Sequence, residues 1–170
     1  LKTSEEVDEL IVKNWNETVK KEDIVYHLGD FSCGDKATPE YIRSIFDRLN
    51  GTIHFIPGNH DVKAGGGLKE RVASLPFAST AMYREIIYNK HLVVLMHYQL
   101  RTWYDATKGS IHLFGHVHNK YQGFGRSKYV GVENTNYKPV SLDSLVEELR
   151  KIPVEQIKFY SSGERRGLKI

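Results

Sequence analysis

Glycine-led polar clusters that close apolar runs constrain this chain more than any other feature. Gly29-Asp30 follows the run 24–28, Gly58-Asn59-His60-Asp61 follows 53–57, Gly115-His116-Val117-His118 follows 111–114, and His97 ends a fourth run at 92–96. Short apolar runs bounded by turn residues read as buried strands. The pattern therefore sets Asp, Asn and His side chains at strand ends. Carboxylate, amide oxygen and imidazole are donors that borderline divalent metals accept, and a strand end holds a donor more rigidly than a free loop.

At 170 residues and 40% hydrophobic, the chain is expected to form one domain with a substantial core. A single cysteine, Cys33, excludes an internal disulfide framework and fits a reducing, cytoplasmic setting. No apolar run approaches the ~18 residues that span a bilayer, and no basic-then-apolar leader opens the sequence. The net charge of +3 is too small to argue for nucleic acid by itself, but it suits an anionic substrate.

Thr3 and Glu6 have capping-box spacing, and Val7, Leu10, Ile11, Trp15 and Val19 recur at helical period, which predicts an opening helix. A strand is expected at 24–28. A second helix is expected after Thr38, with Pro39 in its first turn, ending at Asn50-Gly51. Further strands are expected at 53–56, 111–114, 129–132 and 154–160. The runs 85–88 and 92–96, joined by Asn89-Lys90, read as a hairpin, with helices at 68–75 and 141–150. The helix at 141–150 is expected to be capped by Ser141 and to turn Ser144, Leu145 and Leu149 inward. Helices early and strands throughout make the chain mixed α/β.

Gly-Asn-His-Asp together with Gly-His-x-His is a specific pair, and with Gly-Asp, His97, Gly131-Val132 and the stretch 136–140 the chain resembles the calcineurin-like metallophosphoesterase superfamily, its short bacterial and phage-type members in particular. The resemblance implies an α/β fold, a layered α-β-β-α sandwich, and metal-dependent hydrolysis of a phosphoester, monoester or diester, by a metal-bridging hydroxide. It makes Asp30 the carboxylate bridging two divalent metals, which a shared anion must screen because they sit only ~3.5–4 Å apart. Asn59, His97 and His116 would complete the second site and His118 would serve the first. His60 would be the non-ligand histidine that stabilises the phosphoryl group or acts as general acid, and Asp61 its orienting partner. Manganese is the leading metal, with iron, zinc, nickel and cobalt as alternatives.

Members of that superfamily normally begin with Asp-x-His on a first strand, both residues binding the first metal, and this chain has no Asp-x-His. Asp30 and His118 alone remain for the first site. The expectation is an N-terminally incomplete chain, because an amphipathic helix opening abruptly at Leu1 is an unusual natural start. A single-metal protein and a catalytically inactive interaction scaffold on the same fold are the alternatives. A nucleic-acid-binding module is a third reading, which would bind with steep salt dependence and without hydrolysis.

His54 and His112 alternate with apolar neighbours and read as half-buried structural histidines, and His91 as a solvated turn residue. His27 reads as partly buried, with lining of the site as the alternative. Arg101, four residues past His97, is the candidate for bidentate contact with a substrate phosphate. Tyr98, Trp103 and Tyr104 on the same loop could stack on a base or pack in the core. The partner expected is a small phosphoester or nucleotide, a nucleic-acid end being the alternative, with no membrane and an open oligomeric state.

Overall fold

The structure, a computed structural model, describes residues 3–32 and 37–154. In order these form α1 (Ser4–Thr18), β1 (Ile24–His27), α2 (Pro39–Phe46), β2 (Thr52–Phe55), α3 (Glu70–Ala73), β3 (Ser79–Thr80), β4 (Tyr83–Tyr88), β5 (His91–Met96), β6 (Ile111–Phe114), β7 (Ser127–Tyr129) and α4 (Leu142–Leu149). Two 3-10 turns, Ala106–Lys108 and Val132–Asn134, interrupt the loops.

The first two helices are capped by side chains. Thr3 Oγ1 accepts the Glu6 N–H at 3.2 Å and Thr38 Oγ1 accepts the Tyr41 N–H at 3.2 Å, each taking up a donor that the first helical turn leaves unpaired. Trp15 faces inward from α1, and its indole N–H donates to the Asn50 carbonyl at 2.8 Å, which ties α1 to the segment leaving α2.

Two sheets follow from the strand pairing. β1, β2 and β3 are parallel in that order; β4 and β5 form the antiparallel hairpin, β6 adds to β5 in parallel and β7 to β6 in parallel. Ile53 and Phe55 point from β2 towards the helices, into clusters with Trp15 and Val19 of the α1 end and with Ile42, Val72 and Leu75. The opposite side of this sheet sends Tyr26, Leu28 and Ile56 against Val93, Leu95, Ile111 and Leu113 of the second sheet, and α4 adds Leu145, Val146 and Leu149 to the same core. On its other face the second sheet turns His112 and Phe114 towards Trp103 and Tyr121. This is the layered α/β sandwich that the resemblance implied.

Several boundaries differ from expectation. The helix expected at 68–75 is reduced to α3, because Leu68 is taken by a bridge to Val62. β7 lies earlier than 129–132: its pairing with β6 ends at Phe114 and Tyr129, after which the chain turns into the 3-10 segment. β3, two residues long, was not anticipated. Ser144 is exposed and Val146 takes the inward place in α4, while Ser141 makes no side-chain cap. His91 is not a solvated turn residue but the half-buried first residue of β5, opposite Tyr88. Of the strand expected at 154–160, residues 155–160 lie outside the described residues. Among the described residues no helix is long and apolar enough to cross a membrane.

Candidate metal centre

Parallel pairing brings the C-terminal ends of β1 and β2 together, and those of β5 and β6 likewise. The two pairs meet at His97. Its backbone carbonyl accepts the Gly115 N–H at 3.0 Å, and its ring Nδ1 lies 2.6 Å from the Leu28 carbonyl of the other sheet. A carbonyl can only accept, so Nδ1 carries the proton and Nε2 is left with a lone pair.

That lone pair faces two more. His97 Nε2 lies 3.4 Å from Asp30 Oδ2 and 3.2 Å from Asn59 Oδ1, and Asn59 Oδ1 lies 2.8 Å from His116 Nδ1. Asp30, His97 and His116 offer ligand atoms all within 4.8 Å of one another. Carboxylate oxygen, amide oxygen and an unprotonated ring nitrogen repel when they converge with nothing between them. A divalent cation removes that repulsion, and donors ~2.1 Å from a common ion and at right angles are ~3.0 Å apart, close to the separations found here. The four residues fit such an ion by chemistry and by spacing.

The backbone is bent to achieve this. Asp30 (φ 53°), His116 (φ 68°) and His118 (φ 43°) all sit in the left-handed region, which side chains other than glycine adopt at a cost. Gly58 lies so close that a Cβ there would meet His97 Cε1 at 2.5 Å and run into the Asp30 carboxylate. Only glycine lets the second loop pass beneath both donors.

Asp61 is placed differently from the sequence expectation. Its carboxylate is fully buried and accepts three backbone N–H groups: Asp30 at 2.6 Å, Gly58 at 2.8 Å and Phe31 at 3.1 Å. It therefore locks the Gly-Asp loop to the Gly-Asn-His-Asp loop instead of orienting His60, because these turn N–H groups need an acceptor and Asp61 is the one they surround. Burial nevertheless raises its carboxyl above the usual value, outweighing the lowering by the three donors.

His60 is exposed. Its N–H donates to Asp30 Oδ1 at 2.9 Å and its carbonyl accepts from the buried Arg71 at 3.2 Å, while Arg71 also reaches the Ser32 carbonyl at 3.0 Å. The backbone is thus fixed from both sides, and among the described residues no hydrogen bond holds the imidazole. Arg71 was not anticipated, since nothing in a short helical run marks an inward-facing guanidinium.

His116 is held below the usual imidazole range, chiefly by burial, with His97, His118 and His60 pushing the same way and Asp30 opposing. Four imidazoles therefore act on one region. His118 nonetheless stands outside the group formed by Asp30, His97 and His116: its side chain is 62% exposed and its Nδ1 lies 2.8 Å from Glu133 Oε1. Glu133 was also missed by sequence reasoning.

The remaining histidines are structural. His112 is fully buried, deeper than expected, with Nδ1 at 3.1 Å from the Val94 carbonyl and Nε2 accepting the Leu100 N–H at 3.2 Å. His54 bonds Ser79 Oγ at 2.6 Å and stacks on Tyr26. His27 accepts the Gly29 N–H at 3.3 Å among Trp15, Phe31 and Phe55, and burial drops its ring to about 4. Tyr98 packs edge-on against His97 and His116, Trp103 packs on His112, and Tyr104 is exposed. Arg101 lies exposed on the loop after β5, in no hydrogen bond or ion pair among the described residues.

Comparison with known proteins bears on the family and the fold. Residues 4–120 match the model of the calcineurin-like phosphoesterase family. An uncharacterized protein of Methanocaldococcus jannaschii is 35% identical over 154 residues, covering 86% of this chain and 77% of that protein. The crystal structure of a protein of unknown function from Aquifex aeolicus superposes with a TM-score of 0.62 at 24% identity, over 83% of this chain and 84% of that one, which supports the fold alone. With a family match over more than half its length, the chain belongs to the calcineurin-like phosphoesterases.

Proposed function

We propose that this protein is a metal-dependent hydrolase of phosphoesters. The reading rests on one observation: Asp30, Asn59, His97 and His116 converge with oxygen and ring-nitrogen atoms 2.8–3.4 Å apart. These residues would hold one divalent ion. Asp30 and His118 are the residues of this chain available to a second, which leaves that position less fully furnished. Divalent ions there would neutralise charge on the phosphoryl oxygens and lower the pKa of the attacking water.

His60 is the group left to act on the substrate. Its backbone is clamped between Asp30 and Arg71 while its imidazole is exposed, so the ring can donate to a phosphoryl or leaving-group oxygen. Arg101 would contact a phosphate from the neighbouring loop. A small phosphoester or nucleotide is the favoured substrate class, with manganese the favoured metal and a nucleic-acid end the alternative substrate.

The test is the metal-to-chain ratio after saturation with Mn²⁺ and removal of excess, followed by turnover of an aryl phosphate monoester and a bis-aryl diester. Bound Mn²⁺ with hydrolysis of either ester is the expected result, and the preferred ester assigns the class. Metal retained without turnover of any phosphoester would favour the interaction scaffold. No metal retained would overturn the centre itself.

A further inference from the structure

We propose that Glu133, steadied by the Tyr129 hydroxyl, is the positioning residue for His118: it fixes the ring as the Nδ1–H tautomer, so that Nε2 is the lone pair offered to a divalent cation. This rests on the reading of His118 as a metal ligand. The need for such a residue comes from His118 itself. Its backbone is left-handed, at φ 43°, and its side chain is 62% exposed, so neither strand pairing nor packing fixes the ring.

Glu133 supplies the constraint. Oε1 lies 2.8 Å from His118 Nδ1, and Oε2 accepts the Tyr129 hydroxyl at 2.6 Å. An ionised carboxylate has no proton to give, so both partners must donate, and the proton on the His118 ring is assigned to Nδ1. His97 obtains the same tautomer from the Leu28 carbonyl. The support reaches the core: Tyr129 is 3% exposed on β7, and a Cβ on Gly131 would land on its hydroxyl. The glycine therefore keeps open the space through which the hydroxyl reaches Glu133, which the 3-10 turn Val132–Asn134 presents.

Long-range ¹H–¹⁵N spectra of the His118 ring in metal-free protein, at mildly alkaline pH where imidazole is neutral, read the tautomer directly. His118→Asn assigns the signals. Wild type and Glu133→Gln, whose amide oxygen still accepts, should show protonated Nδ1. Glu133→Ala should lose that preference. Mn²⁺ titration should then show ~10–100-fold weaker binding at the His118-dependent position in Glu133→Ala, with Glu133→Gln close to wild type. A protonated Nε2 in wild type, or a tautomer unchanged in Glu133→Ala, overturns the positioning role. A switched tautomer with Mn²⁺ affinity unchanged in both Glu133→Ala and His118→Ala overturns His118 as a ligand, and with it the purpose given to Glu133. None of these readouts requires turnover, so failure of the hydrolase reading remains a separate result.

Discussion

Within this site, adjacent residues have divergent duties, and substitution separates them. Asp30→Asn removes the anionic donor at the centre of the cluster and should lower both the metal-to-chain ratio and turnover. His60→Ala leaves the donor set intact and should retain the metal while turnover falls ~10²-fold, as expected for a lost acid or electrostatic group. Asp61→Asn tests the brace. An amide presents an N–H to at least one of the three backbone donors that the carboxylate now accepts, so stability should fall by ~2 kcal/mol in urea denaturation. Unchanged stability with reduced turnover would instead return Asp61 to the role of partner for His60. The sequence invites that pairing because the two residues are neighbours. Their side chains point apart, however, one into the two loops and one to solvent.

At the level of the element, the hairpin was the most legible feature, and the structure explains why. Asn89 (φ 46°) and Lys90 (φ 66°) both occupy the left-handed region, the geometry of the two-residue turn that matches strand twist, and β4 and β5 pair in full from Tyr83 with Met96 to Tyr88 with His91. Lysine is poorly suited to that conformation. Lys90→Gly relieves a left-handed cost of ~1–2 kcal/mol and loses roughly half of it to the greater freedom of the unfolded chain. A rise in stability of ~0.5–1 kcal/mol is expected in thermal or urea unfolding, and a loss would mean that the Lys90 side chain makes a stabilising contact. Elements that depend on distant partners were less legible. β3 is only two residues long and exists because β2 pairs with it, and β7 begins and ends where β6 allows. The residues that converge at the candidate centre, Asp30, Asn59, His97 and His116, were legible because each follows the end of its own strand. Glu133 is 15 residues from His118, and no spacing rule links them.

Across the whole molecule, the same burial that fixes the histidines couples stability to pH. His27 lies among Trp15, Phe31 and Phe55, and burial lowers it from 6.5 to about 4, with Asp30 opposing and His97 assisting. His112 and His54 are lowered for the same first cause. Between pH 6.5 and about 4 the unfolded chain binds a proton at His27 that the folded chain refuses. The unfolded state then holds more protons, and stability falls as pH falls, by ~1.4 kcal/mol per unit and ~3 kcal/mol in all for this one residue. The contribution is complete above the ordinary imidazole value and lost progressively below it. Asp61, raised by burial, takes up its proton earlier when folded and opposes the trend only towards the carboxylate range. Urea denaturation of metal-free protein at about pH 7 and about pH 5 should therefore give a markedly lower stability at the acid value. His27→Gln, which keeps an acceptor for the Gly29 N–H without a basic nitrogen, should shrink that difference. Equal stability at the two values in the parent protein would mean that the aromatic cage around His27 opens to admit the proton.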